Sequence, residues 1–177
     1  MSENRTDAVG QSDKVVIRET WLVPVARPSV YAIASDFTRM PENFPKLAHS
    51  VKIVSRNGNR LTIEAEAASF GRLFPRVKIS IEAELLPERG YRCSTFNRTF
   101  NTRGEEELLL DDAPEGTQVQ YAYVVTVKRQ WLRPLFAWLV RTFGLPYWKK
   151  HYLTPLTLRA REHQDALSTS GTGQGEF

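Results

Sequence analysis

The sequence predicts an α+β fold, in which a seven-stranded antiparallel sheet grips a long C-terminal helix. Three observations carry that reading. From about residue 50 to residue 129, apolar and polar residues alternate with a period of two, in six runs separated by short turns. After Trp131 the apolar spacing changes to three and four, the period of a helix. Before residue 50, a first alternating run is followed by proline-bounded segments with room only for short helices. Strands joined by short connections run antiparallel, and helices segregated from such a meander make an α+β domain.

Lys14 to Val25 reads as the first strand. Val15, Ile17 and Trp21 share one side and Arg18 and Thr20 the other, while Glu19 breaks the pattern. Pro24 ends it. Pro28 suits the first turn of a helix, and Val30, Ile33, Ala34 and Phe37 form its apolar stripe, although Arg27 offers no cap. Pro41 and Pro45 leave room for only one more short turn. Strands are then expected at 50–57, 60–70, 73–86, 90–97, 101–112 and 117–129. The turns between them are Asn57-Gly58-Asn59, Gly71-Arg72, Glu88-Arg89-Gly90 and Glu115-Gly116. The last element runs from Trp131 to about His163. Leu132, Leu135, Phe136, Leu139, Val140 and Phe143 make its stripe, and Gly144-Leu145-Pro146 and Pro155 are expected to kink or break it.

At 177 residues the chain is expected to fold as one domain, residues 14–165, between flexible polar tails at 1–13 and 166–177. The net charge of +4 is too mild to imply a partner. The single cysteine excludes an internal disulfide. His49, His151 and His163 have no metal-ligand spacing, and no phosphate-binding or dinucleotide motif is present, so neither metal nor cofactor is expected. No apolar run suits a secretion signal or a membrane span, which suggests the cytoplasm.

Alternation also assigns faces. Leu61, Ile63, Ala65 and Ala67 share one face of their strand, and Val77, Ile79, Ile81, Ala83 and Leu85 share one face of the next. Gly104, Glu106, Leu108 and Leu110 point inward, as do Val119, Tyr121, Tyr123, Val125 and Val127. The inward set is uneven in size: Ala65, Ala67, Ala83 and Gly104 are small. Either bulky helix residues fill that space or a cavity results. Glu106, Thr95, Tyr121 and Tyr123 would be its polar groups. A carboxyl on an apolar face must be hydrogen-bonded, paired or protonated. Tyr121 or Tyr123 is the expected partner for Glu106; the competing reading places Glu106 near a strand end, in reach of solvent. His49 and His151 read as surface residues, and Ser29 and Ser35 have no identifiable base, so no catalytic residue is assigned.

The segment Trp131 to Lys150 combines Trp131, Phe136, Trp138, Phe143, Tyr147 and Trp148 with Arg133, Arg141, Lys149 and Lys150. Its aromatics surround the helix rather than forming one stripe. Three uses stay open: a wide core stripe, a homodimer interface, and a peripheral membrane contact. The signature of an RNA-binding sheet is missing, so no nucleic-acid partner is expected.

The stretch Pro28-Ser-Val30-Tyr31-Ala-Ile33-Ala34-Ser35-Asp36-Phe37, followed by Met40-Pro41-Glu42-Asn43-Phe44-Pro45, resembles the opening of the START-like superfamily. This is the Bet v 1-like, helix-grip (SRPBCC) group, in its polyketide cyclase/dehydrase and lipid-transport branch. With the element order, the resemblance covers roughly residues 14–165. The chain departs from it where Asn43-Phe44 replaces the usual tryptophan, and in the interruptions of its last helix. The resemblance implies a hydrophobic cavity between sheet and helix that binds or transports a lipid, isoprenoid or polyketide-like molecule. Its expected ligand-binding residues are Ala65, Ala67, Phe70, Phe74, Gly104, Glu106, Tyr121 and Tyr123 on the sheet side. Leu139, Phe143 and Tyr147 are expected on the helix side. The alternatives are an aromatase/cyclase acting on a polyketide and an interaction module docking through the terminal helix.

Overall fold

The computed structural model describes residues 14–67, 77–98, 101–126, 138, 142 and 145–171. The strands are β1 (Lys14–Val23), β2 (Ala48–Asn57), β3 (Arg60–Ala67), β4 (Val77–Leu86), β5 (Gly90–Asn97), β6 (Thr102–Ala113) and β7 (Gly116–Thr126). They form one antiparallel sheet in the order β1-β7-β6-β5-β4-β3-β2, so each strand from β2 to β7 pairs with its sequence neighbour and β1 closes onto β7. The turns fall where the glycines stand. Gly90 (φ 123°) and Gly116 (φ 139°) adopt backbone that side chains disfavour, and a Cβ on either would strike the backbone carbonyl of Leu108 or Val23. Edge strand β2 carries two register shifts, between Ala48/Ser50 and Ile53/Ser55; bulges of this kind are common at sheet edges. The expected Gly71-Arg72 reversal and the Leu132–Phe143 stripe lie outside the described residues, as does Gly144.

Between β1 and β2 lie α1 (Arg27–Ala34), a single 3-10 turn (Phe37–Arg39) and α2 (Met40–Asn43). Pro28 and Pro41 each sit in a first turn, where a missing N–H costs nothing. The weak start of α1 is compensated from far away. Its cap residue Ala26 has no side chain to offer, and the Ala26 N–H donates instead to Gln164 Oε1 at 2.8 Å.

The C-terminal helix is described as α3 (Leu145–Trp148), a wide π turn (Lys149–Leu153) and α4 (Thr154–Gly171). The irregularity expected at Pro155 is this turn. Pro155 has no N–H to donate to the carbonyl of His151, and the backbone widens just before it. Helix α4 runs to Gly171, beyond the expected boundary at 165. The hydroxyls of Ser168, Thr169 and Ser170 bond back to the carbonyls four residues earlier, the pattern that satisfies such side chains inside a helix. Tyr152, Leu156 and Ala160, four residues apart, form its buried stripe.

The main core lies toward one end of the grip, and a smaller buried cluster of Val15 and Val125 with Tyr123 lies toward the other. Val23, Ile63, Leu108, Leu110 and Val119 of the sheet meet Val30 and Ala34 of α1, Phe37, Phe44, and the stripe of α4. Thr117, fully buried among them, donates to the Val25 carbonyl at 2.7 Å. The charges beyond this core are ordered too. Glu19, the residue that broke the β1 alternation, faces inward and accepts from Lys149 Nζ at 2.9 Å. Lys149 also lies 5.7 Å from the Trp21 ring centre.

Candidate functional site: a cavity under the C-terminal helix

Toward the other end of the sheet the helix and strands part, leaving a cavity of about 390 Å³. Its walls are Ala65 and Ala67 of β3, Ile79 and Ile81 of β4, inward residues of β5 to β7, Met40 and Leu47 beside α2, and Tyr147, Trp148 and Tyr152 of the helix. An aromatic partition separates it from the core. Tyr121 stacks on Trp148 (4.3 Å between ring centres), Trp148 on Tyr152 (4.4 Å) and Tyr152 on Phe44 (4.6 Å). Such contacts each add about 0.5–1.5 kcal/mol beyond area burial, so the partition is stiff and does not slump into the space beside it. Tyr147 Oη donates to the Lys46 carbonyl at 3.0 Å, tying the helix to the α2 side, as Lys149 ties it to β1.

Of the residues expected to contact a ligand, Ala65, Ala67, Gly104, Glu106, Tyr121, Tyr123 and Tyr147 all line this one cavity. Phe70, Phe74, Leu139 and Phe143 lie outside the described residues. Two of the small inward residues do not leave space. Ala83 is covered in the packed core. Gly104 is covered by the Tyr123 phenol: a Cβ there would meet Tyr123 Oη at 2.7 Å and Tyr123 Cε2 at 2.8 Å. Thr95 donates to the Gly104 carbonyl at 3.3 Å, and its Oγ1 would also lie 2.8 Å from that Cβ.

Glu106 is neither at a strand end nor partnered by Tyr121 or Tyr123. It sits within β6 and lines the cavity. Tyr91 Oη donates to Glu106 Oε1 at 3.1 Å, and Cys93 Sγ approaches Oε2 at 3.8 Å as a weak donor. Cys93 is the residue directly opposite Glu106 on β5, and Tyr91 is its diagonal neighbour. Tyr123, directly opposite on β7, is turned away over Gly104. Burial raises the Glu106 pKa above the ordinary carboxylate range, and the two donors only partly oppose it. The surrounding groups are raised too. Burial, then the nearby Glu106 charge, pushes Tyr123 up to about 12 and raises Tyr91, Tyr121 and Cys93 well above their usual values. Tyr152 Oη is buried without a hydrogen-bond partner among the described residues, as is Trp21 Nε1.

Sequence reasoning missed Tyr91, Trp148 and Tyr152. The parity of β5, read outward from Cys93 and Thr95, places Tyr91 on the inner face; Trp148 and Tyr152 share one helix face at a spacing of four. His49 is exposed as expected. His151 is half-buried, its ring 4.3 Å from that of Tyr147. Contrary to expectation, Ser29 has an imidazole beside it: His163 Nδ1 lies 3.3 Å from Ser29 Oγ. Ser29 is only 3% exposed, so this contact ties α4 to α1 and presents no nucleophile. In the Trp131–Lys150 segment, Tyr147 and Trp148 pack inward and Lys149 is paired, whereas Trp138 is 54% exposed. No described helix is long and apolar enough to cross a membrane, and no group of metal-binding side chains occurs among the described residues.

A larger hollow, about 680 Å³, lies on the outer face of the sheet. It is open and lined by charged side chains, several already paired with one another, such as Arg92 with Glu107 and Arg60 with Glu84. Exposed pairs of that kind mark a hydrated face.

The sequence matches no family model and no curated protein detectably. Solved structures do match. The di-domain aromatase/cyclase StfQ of the steffimycin biosynthetic pathway aligns with a TM-score of 0.74 at 14% identity, over 88% of this chain and 53% of its own. This chain therefore spans about half the length of StfQ. The Zhui aromatase/cyclase of Streptomyces sp. R1128 gives 0.66 at 12% identity, over 84% and 94%. Norcoclaurine synthase of Thalictrum flavum, solved with dopamine and hydroxybenzaldehyde, gives 0.63 at 11% identity, over 92% and 98%. The chain has the helix-grip fold. The START-like resemblance read from Pro28 to Pro45 thus holds at the level of architecture. At these identities a helix-grip likeness leaves the chemistry to the site itself.

Proposed function

We propose that the protein binds a hydrophobic small molecule, of the lipid, isoprenoid or polyketide-like kind, between the sheet and the C-terminal helix. One observation carries this reading: among the described residues the inner face keeps a cavity walled by Ala65, Ala67, Ile79, Ile81 and a set of stacked aromatic rings. Small-molecule sites are of about this size and character, mostly apolar with a few placed polar groups, roughly 300–1,000 Å³. The solved helix-grip proteins lend support, since norcoclaurine synthase was captured with small aromatic molecules in complex. Native mass spectrometry of the purified chain should show a co-purifying apolar molecule, or gain one in a lipid and polyketide screen. Ala67→Phe should abolish that adduct by occupying the cavity. Persistent apo protein that takes up no member of the screen would sink the proposal.

Glu106 favours a second reading, an aromatase/cyclase-type enzyme. A carboxyl whose pKa burial raises, hydrogen-bonded to Tyr91 beside an apolar cavity, is shifted in the direction that general acid catalysis requires. On that reading Glu106→Gln abolishes turnover of a poly-β-ketone while the fold is retained. Unchanged turnover removes the role.

A further inference from the structure

Two polar groups at the inner end of the cavity have more hydrogen-bonding capacity than the protein uses. Both carboxyl oxygens of Glu106 already face donors, Tyr91 on Oε1 and Cys93 on Oε2. In its protonated form, which burial favours, that carboxyl still has its own proton to donate. Tyr152 Oη, on the opposite wall, is buried; the Tyr91 hydroxyl lies close enough to couple to it, but no hydrogen bond of normal length joins them, and the Tyr91 proton is already given to Glu106. A buried hydroxyl without a partner is costly, and native structures seldom tolerate one without a reason. Glu106 and Tyr152 both line the cavity. The charge pattern points the same way. The described lining contains two acids, Glu66 and Glu106, and no lysine, arginine or histidine. An anionic headgroup at this depth would meet a carboxyl and no countercharge.

We infer that the inner end of the cavity is a donor seat for an uncharged oxygen acceptor, the carbonyl of a ketone, quinone or ester on an otherwise apolar ligand. The inference rests on the ligand-binding reading above and adds to it which ligands are chosen. Glu106 and Tyr152 donate to the carbonyl oxygen. Tyr91 and Cys93 hold the carboxyl in the orientation that makes this contact. Free fatty acids and other carboxylates are rejected, and a plain hydrocarbon is accepted with lower affinity because it leaves both donors unpaired.

The test is calorimetry on the full chain with four probes that share one ring system: acetylnaphthalene, ethylnaphthalene, naphthoate and naphthylmethylamine. The ketone should bind roughly tenfold more tightly than the hydrocarbon, the equivalent of one or two well-formed hydrogen bonds. Naphthoate should bind most weakly. Tyr152→Phe and Glu106→Leu should each bring the ketone-to-hydrocarbon affinity ratio toward one. Glu106→Gln, which keeps an N–H donor, should retain most of it. If ketone and hydrocarbon bind wild type equally, or if the carboxylate or the amine binds most tightly, the donor seat is overturned while the apolar cavity stands. If none of the four binds, the ligand-binding reading fails, and the donor seat with it. Should Glu106→Leu not fold, the wild-type ratio and the conservative Tyr152→Phe decide the matter. An undiminished ratio in folded Tyr152→Phe overturns the proposed contact.

Discussion

Gly104→Ala tests how the site is built. A Cβ at this position would lie 2.8 Å from Tyr123 Cε2 and 2.7 Å from its hydroxyl. Carbon atoms prefer separations of about 3.5–4.0 Å, so the ring must withdraw by roughly 0.7–1 Å. Overpacking of this kind costs about 1–3 kcal/mol. The Cβ would also lie 2.8 Å from Thr95 Oγ1 and crowd the Thr95 bond to the Gly104 carbonyl, worth about 0.5–1.5 kcal/mol. Two effects offset this. Gly104 is not among the positive-φ glycines, so alanine strains no backbone there and restricts the unfolded chain, a gain of about 0.4–1 kcal/mol. The ring can also swing into the adjacent cavity. The net expectation is a loss of about 1–3 kcal/mol, a fall in Tm of roughly 3–10 °C for a chain of this size. Urea or thermal unfolding measures it. A double-mutant cycle with Tyr123→Ala should show coupling of at least about 0.5 kcal/mol, because removing the ring removes two of the three close contacts and leaves only Thr95 Oγ1. Displacing the phenol should also weaken binding of an apolar probe. A Gly104→Ala protein as stable as wild type, with an additive cycle, would refute the claim that Tyr123 lies across this glycine.

Glu106→Gln should change how stability depends on pH. The folded state favours neutral Glu106 and raises its pKa, so the wild type loses no stability below the ordinary carboxylate pKa. It loses up to about 1.4 kcal/mol per pH unit from there to the raised value, and nothing further above it. The groups facing Glu106 are Tyr91 and Cys93 from β5, Tyr121 and Tyr123 from β7, and Tyr152 from the helix; all are themselves raised and stay neutral through that window. The stability of the variant relative to wild type should therefore climb with pH and level off, and parallel denaturation profiles would contradict the burial of this carboxyl. Thr117→Val should cost about 1–3 kcal/mol in chemical denaturation by orphaning the Val25 carbonyl, whereas Thr117→Ser should cost much less. Tyr147→Phe removes the bond to the Lys46 carbonyl at the cavity wall. It should raise the release rate of a bound apolar probe several-fold in stopped-flow fluorescence with little change in Tm, and an unchanged rate would argue that the helix does not gate release.

The architecture was legible because it is written in local periods: alternation for each strand, glycines where the backbone must turn, prolines where helices must be short. The contents of the interior were not, because they depend on side chains distant in sequence. Ala65 and Ala83 have the same residue type and parity, yet one lines the cavity and the other is buried in the core, decided by where α4 crosses the sheet. The partner of Glu106 was misassigned for a related reason. Parity gave the right face, but reach depends on diagonal geometry and on the turning of Tyr123 over Gly104. Glu19 looked like an error in the β1 pattern because its cation, Lys149, is 130 residues away. Ser29 looked unpartnered because His163 is 134 residues away.

The size of the cavity decides between a packing defect and a built feature. Cavities left by core truncation cost about 24 cal/mol per Å³. Applied to about 390 Å³, that is about 9 kcal/mol, comparable with the whole stability of an ordinary domain. A dry void of that size would not survive beside side chains free to collapse into it. Two features of this chain keep it open. The stack from Tyr121 to Phe44 is held by its own ring contacts and by the stripe of α4, so its rings cannot turn inward without breaking the core. The lining also carries Thr95, Asn97, Thr102 and Glu106, enough polar groups to hold water when no ligand is present. The same polar groups that spare the empty protein the full cost of a void stand where an apolar ligand with one carbonyl would gain most by entering.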